Sequence, residues 1–71
     1  MAIDGLRIDA DAAKALAARG YLTLNTAGFT SNRSYGTIDY GADRIWMCPH
    51  SHETSKAALA CAGKALRRIS R

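Results

Sequence analysis

Four side chains able to bind soft or borderline metal ions fall within fourteen positions: Cys48, His50, His52 and Cys61. They are all the cysteines and histidines of the chain. A tetrahedral zinc site takes this ligand set. Such a clip would matter here, because 71 residues with 48% hydrophobic but only 7% aromatic content make an alanine-rich, thin core. A domain of that kind gains most from metal binding that joins distant elements.

Spacing decides whether one ion could meet all four. In strand geometry Cys48, His50 and His52 would share a face but spread over roughly 13 Å, at a rise of about 3.3 Å per residue. Only Cys48 and His52 have the separation by which a chain turns around zinc. One ion cannot gather all three unless the chain bends, and Pro49 makes a strand end plausible there. Three readings stay open. Zinc or another divalent ion could be held by a subset of the four, or Cys48 and Cys61 could form a disulfide. Otherwise the thiols pack as small hydrophobes while the histidines cap or bond the loop. The one-residue spacings weigh towards the last.

A Cys–His pair can also activate a nucleophile, but that needs a concave site and an orienting third group, for which so short a chain leaves little room. No Gly-rich phosphate loop, helical carboxylate pair or Ser/His/Asp set accompanies it. The expectation is a chain that is not an enzyme.

The elements that must position these residues follow from periodicity. Ile8 to Gly20 reads as a helix, with Asp9 as cap, Asp11 at the positive end and Gly20 as terminator. Tyr21 to Asn25 is a strand, Thr26 to Asn32 is turn-like, and Ser34 to Tyr40 is a second strand weakened by Gly36. Gly41 to Asp43 is a hairpin turn and Arg44 to Cys48 a third strand. From Thr54 or Ser55 to about Ile69 runs the last helix, with Ala58, Leu59, Ala62, Leu66 and Ile69 as its buried stripe. Gly63 suggests a close backbone approach. The order predicts one small α+β domain, α-β-β-β-α: a three-stranded antiparallel sheet with two helices packed on one face.

The net charge of +4 is uneven. From Thr54 onward there are Lys56, Lys64, Arg67, Arg68 and Arg71 and no Asp or Glu. Before it, Arg7, Lys14, Arg19, Arg33 and Arg44 face six acids, a formal charge of −1. This asymmetry favours a polyanionic partner, although a basic last turn also complements a helix dipole. No apolar run approaches membrane-spanning length, and no basic-then-apolar secretion pattern opens the sequence. An intracellular, cytoplasmic and reducing setting without membrane contact is the expectation, under which thiols or metal ligands are favoured over a disulfide.

Trp46-x-Cys48-x-His50-x-His52-x-Thr54, followed by Ala58-x-x-Cys61-Ala62, resembles a segment of small proteins of actinobacteria and their phages, which implies a phage or mobile-element setting and no activity. The element order is similar to the double-stranded-RNA-binding domain. Ser55-Lys56-Ala57-Ala58-Leu59-Ala60 is similar to that family's lysine-rich helix start, with Ala57 and Ala60 where the family has further lysines. The strand-strand-strand-helix part is similar to the arm-binding domains of phage integrases, which read DNA with the sheet. These resemblances concern fold, which does not give function.

Two functions are expected in nearly equal measure. The first is a small nucleic-acid-binding or regulatory module that uses Lys56, Lys64, Arg67 and Arg68 on the last helix, with Arg33, Tyr35 and Arg44 on a two-sided sheet. The second is a protein-interaction module, an inhibitor or adaptor of a host protein or a homodimer formed through its sheet. Either could be zinc-stabilised.

Overall fold

The computed structural model describes residues 3–30 and 33–71, with the backbone alone at 29 and 30. Helix α1 (Ala10–Ala18) precedes strands β1 (Leu22–Thr30), β2 (Arg33–Tyr40) and β3 (Asp43–Met47), and helix α2 (Ser55–Ser70) closes the order. The sheet is antiparallel in the order β1-β2-β3. This is the expected α-β-β-β-α arrangement.

Local chemistry accounts for the helix ends. The Asp9 carboxylate accepts from the amides of Asp11 and Ala12 at 3.1 and 3.3 Å, satisfying donors that lack an intrahelical partner. Gly20 follows α1 at φ 75°, a conformation open to a residue without Cβ. Thr54 caps α2 by accepting from the Ala57 amide at 3.1 Å.

The sheet differs from expectation at β1. The region from Thr26 was expected to turn, yet the strand continues to Thr30. Thr26 and Ala27 pair with Gly36 and Tyr35, and a register shift falls between Ala27 and Thr30. Cross-strand pairing satisfies backbone groups on both strands, and this outweighs the turn propensity of Thr and Gly. Ser31 and Asn32, which completed the expected turn, lie outside the described residues.

The packing of α2 onto β2 is set by Gly36. A Cβ at this position would overlap the carbonyl of Ala58, and it would meet the Ala62 methyl at 3.1 Å. The helix therefore presents Ala58, Ala62, Ala65 and Ile69 to the sheet. Two expectations change in consequence. Leu59, placed on the buried stripe, is 40% exposed, because the helix turns its small residues inward to approach so closely. Gly63 does not mark a close approach, since a Cβ there would meet only a Leu24 methyl, at 3.9 Å.

The core joins Ala13 of α1 and Ala62, Ala65 and Ile69 of α2 to Ile38, Ile45, Trp46 and Cys48. Trp46 is a core residue rather than a surface anchor: it is buried, and its indole N–H donates to the Asp4 carbonyl at 2.8 Å. Among the described residues no helix is long and apolar enough to cross a membrane.

The two glycines should respond with opposite signs. Gly36→Ala forces the helix off the sheet and is expected to cost about 2 kcal/mol or more. Gly63→Ala adds a methyl in ordinary contact and removes a helix-weakening glycine, for a gain of up to about 1 kcal/mol. Urea denaturation midpoints of the two variants check both. Equal effects would contradict this account of the packing.

Candidate metal centre

Cys48 lies one residue past β3, His50 and His52 in the following loop, and Cys61 within α2. The loop resolves the spacing problem. The Cys48 amide donates to the Gly36 carbonyl at 2.9 Å, and His52 pairs with Ser34 through hydrogen bonds of 2.7 and 2.8 Å. Between these points β2 advances two residues while the segment after β3 advances four. Pro49, His50 and Ser51 therefore bulge outward, and Cys48 and His52 return to neighbouring places on the helix-facing side. The chain bends as a shared ion would require, and the 13 Å spread expected of a continuous strand does not arise.

Ligand atoms of Cys48, His52 and Cys61 consequently lie within 4.8 Å of one another. Cys48 Sγ and His52 Nε2 are 3.5 Å apart. A tetrahedral ion with Zn–S about 2.3 Å and Zn–N about 2.0 Å sets sulfur–nitrogen edges of about 3.5 Å, so this pair already has the length of a coordination edge. His50 stands outside the group of three, exposed at its mouth, with Nε2 3.9 Å from Cys61 Sγ. Its ring meets that of His52 edge-on, centroids 4.6 Å apart. Three of the four expected ligands thus converge and the fourth borders them. Both cysteines are free thiols.

Burial pushes the Cys48 thiol up to about 11 from an ordinary 9.0, with the neighbouring Cys61 adding to the rise and a hydrogen bond from the Gly36 backbone opposing it. A bound cation would reverse this balance, because a coordinating thiol is deprotonated outright. Gly36 thus has two roles that the sequence reading missed, admitting the helix and bonding the Cys48 sulfur. The available signal was a glycine inside a strand pattern, which marks close backbone approach.

The basic candidates separate into two groups. Lys64, Arg67 and Arg68 line one shallow depression together with Arg71, which was not among the expected contacts. Lys56 sits in the first turn of α2, outside that depression. On the sheet, Arg33 donates to Ser51 Oγ at 2.9 Å and pairs with Glu53 at 3.9 Å, which ties β2 to the loop after β3. Tyr35 packs against the core, and Arg44 is half-buried. These three do not join the basic residues of α2 in one exposed surface.

Thiol accessibility tests this geometry directly. In chelator-treated protein Cys61, half-exposed, should alkylate well before Cys48, which is 2% exposed. Because the folded thiol of Cys48 titrates above its unfolded value, the metal-free fold keeps this contribution below about pH 9 and loses it as pH rises towards 11. Mass-spectrometric alkylation kinetics against pH would show it, and equal rates at neutral pH would contradict the burial of Cys48. Comparison of the chain with protein-family models, curated proteins and solved structures finds no match.

Proposed function

We propose that this chain is a zinc-stabilised, non-enzymatic binding module that contacts a polyanion, a nucleic acid, through the basic end of α2. The observation that carries the reading is the convergence of Cys48, His52 and Cys61 from strand end, loop and helix within 4.8 Å. Two sulfurs and an imidazole favour zinc over the hard cations, which take oxygen. A small rotation of the exposed His50 ring supplies a fourth ligand beside Cys61. Four side-chain ligands leave no open coordination position, which suits a structural site better than a catalytic one.

The partner follows from charge. Among the described residues the one ion pair joins Arg33 to Glu53, so Lys64, Arg67, Arg68 and Arg71 have no carboxylate partner in the depression they line. Four cations on the last two turns exceed what a helix dipole needs, and phosphate oxygens are the acceptors that an arginine fork fits. In this reading the module is cytoplasmic and phage-encoded, a setting that rests on the sequence pattern around Cys48 and Cys61. A protein partner is the alternative.

Native mass spectrometry with and without a chelator tests the metal. The expected result is one zinc per chain, with its removal lowering the melting temperature, and with Cys48→Ala and Cys61→Ala abolishing binding while His50→Ala weakens it. A metal-free chain whose stability ignores the chelator would remove the zinc reading. The partner is tested separately by titrating zinc-loaded protein with short duplex and single-stranded nucleic acids over a range of salt. Replacing Arg67 and Arg68 together should reduce the salt slope by about 2. Absence of binding at low ionic strength would sink the polyanion reading and leave the metal reading standing.

A further inference from the structure

The two edges of the sheet are treated differently. At one edge lies β3, only five residues long, carrying Asp43 and Arg44 and interrupted by a register shift opposite Ile38 and Asp39. The segment before α1 covers it, with the Arg7 amide donating to the Ile45 carbonyl at 2.8 Å. These are the means by which proteins stop an edge from pairing with another chain. At the other edge lies β1, nine residues long, with no charged residue and no proline. Among the described residues its only strand neighbour is β2, and its pairing with β2 is regular from Leu22 through Ala27, before the register shift towards Thr30. Over those six residues half of the backbone groups therefore face outward in an uncharged row.

An apolar strip accompanies this row. Leu24 is 36% exposed and Leu59 40%, and Leu24 lies beside the Gly63 position of α2, one turn from Leu59. A single exposed leucine is ordinary. Two of them alongside an unguarded edge give an incoming strand both a hydrogen-bonding row and something to bury.

We infer that β1 is a pairing edge for a second copy of this chain, joined antiparallel about a two-fold axis so that two three-stranded sheets become one of six strands. Self-pairing fits because an antiparallel two-fold axis sets β1 against itself. A strand without charge places no like charges opposite one another when it does so. Leu24 and Leu59 then meet their own counterparts. Six regular residues span about 20 Å, so the contact is small by the standard of specific interfaces and should form in the micromolar range. Lys56 and Arg67 flank Leu59 and Gly63 on the same helix face, so cations approach across the axis and added salt should tighten the dimer. That dependence is opposite in sign to nucleic-acid binding, which salt weakens.

Sedimentation equilibrium of the zinc-loaded chain, from about 1 to 500 µM, tests the pairing. The expected mass rises from that of the 7.6 kDa chain to twice it, more readily at higher salt. Hydrogen exchange should slow at the amides of β1 and not at those of β3. Leu24→Lys brings two cations together at the axis and should hold the protein monomeric, with unchanged helicity and metal content. If that variant unfolds, Thr26→Lys, on the exposed Thr26, makes the same test at the strand itself. A wild-type chain that stays monomeric throughout would overturn the proposal. So would a dimer that survives the lysine variants, or a β1 edge protected only when a different protein is bound.

Discussion

The contact between the Gly36 backbone and the Ala58 carbonyl sets the height of α2 above the sheet, and most of the fold depends on that height. A side chain on β2 at this point would lift the helix by the width of a methyl group. The inward residues of α2 are then necessarily small, and Ala58, Ala62 and Ala65 occupy the contact. Alanine buries little area, so the approach exchanges hydrophobic area for closeness. Leu59 is turned outward for the same reason. The same closeness brings Cys61 down to the level of Cys48, so the low helix that thins the core also makes the cluster of Cys48, His52 and Cys61 geometrically possible.

The loop after β3 makes a second adjustment. Its two extra residues relative to β2 fold the chain back so that Cys48 and His52 face the helix together. The return is held by the paired backbone bonds between Ser34 and His52 and by the bond from Arg33 to Ser51. These bonds fix the site from the sheet side before any ion is considered. Cys48 carries the electrostatic load of the arrangement, since its burial disfavours the thiolate that a metal would require. A divalent charge held at the cluster would offset this desolvation and also join sheet to helix.

Much of this architecture was legible in the sequence because it rests on local chemistry. Asp9 and Gly20 bound the first helix through capping and positive φ, and Thr54 with the periodic alanines marks the second. The parts that escaped depend on partners distant in the chain. The outer half of β1 looks like a turn until Tyr35 and Gly36 offer it hydrogen bonds. Leu59 looks buried until Gly36 fixes the rotation of the helix. The four candidate ligands were found by residue type alone, but their convergence was not, because it follows from a two-residue mismatch between β2 and the loop that no one-dimensional spacing expresses.

The resulting distribution of chemistry along α2 is ordered by position. Its inner face packs alanines on the sheet, its middle presents Cys61 to the cluster, and its last turns carry cations that form no ion pair among the described residues. Arg68 links two of these regions, since it lines both the basic depression and the neighbouring cleft that Trp46, Pro49 and His50 also border. The residues that hold the end of β3 therefore lie beside the residues that concentrate positive charge. A helix fastened at its middle keeps those cations in a fixed relation to the sheet, whereas a frayed helix would scatter them. Arg33, by contrast, is engaged at the loop, bonding Ser51 and pairing with Glu53, while Arg44 is half-buried on β3. Charge on this chain is thus divided by place: Arg33 ties β2 to the loop after β3, whereas among the described residues the cations at the end of α2 form no ion pair.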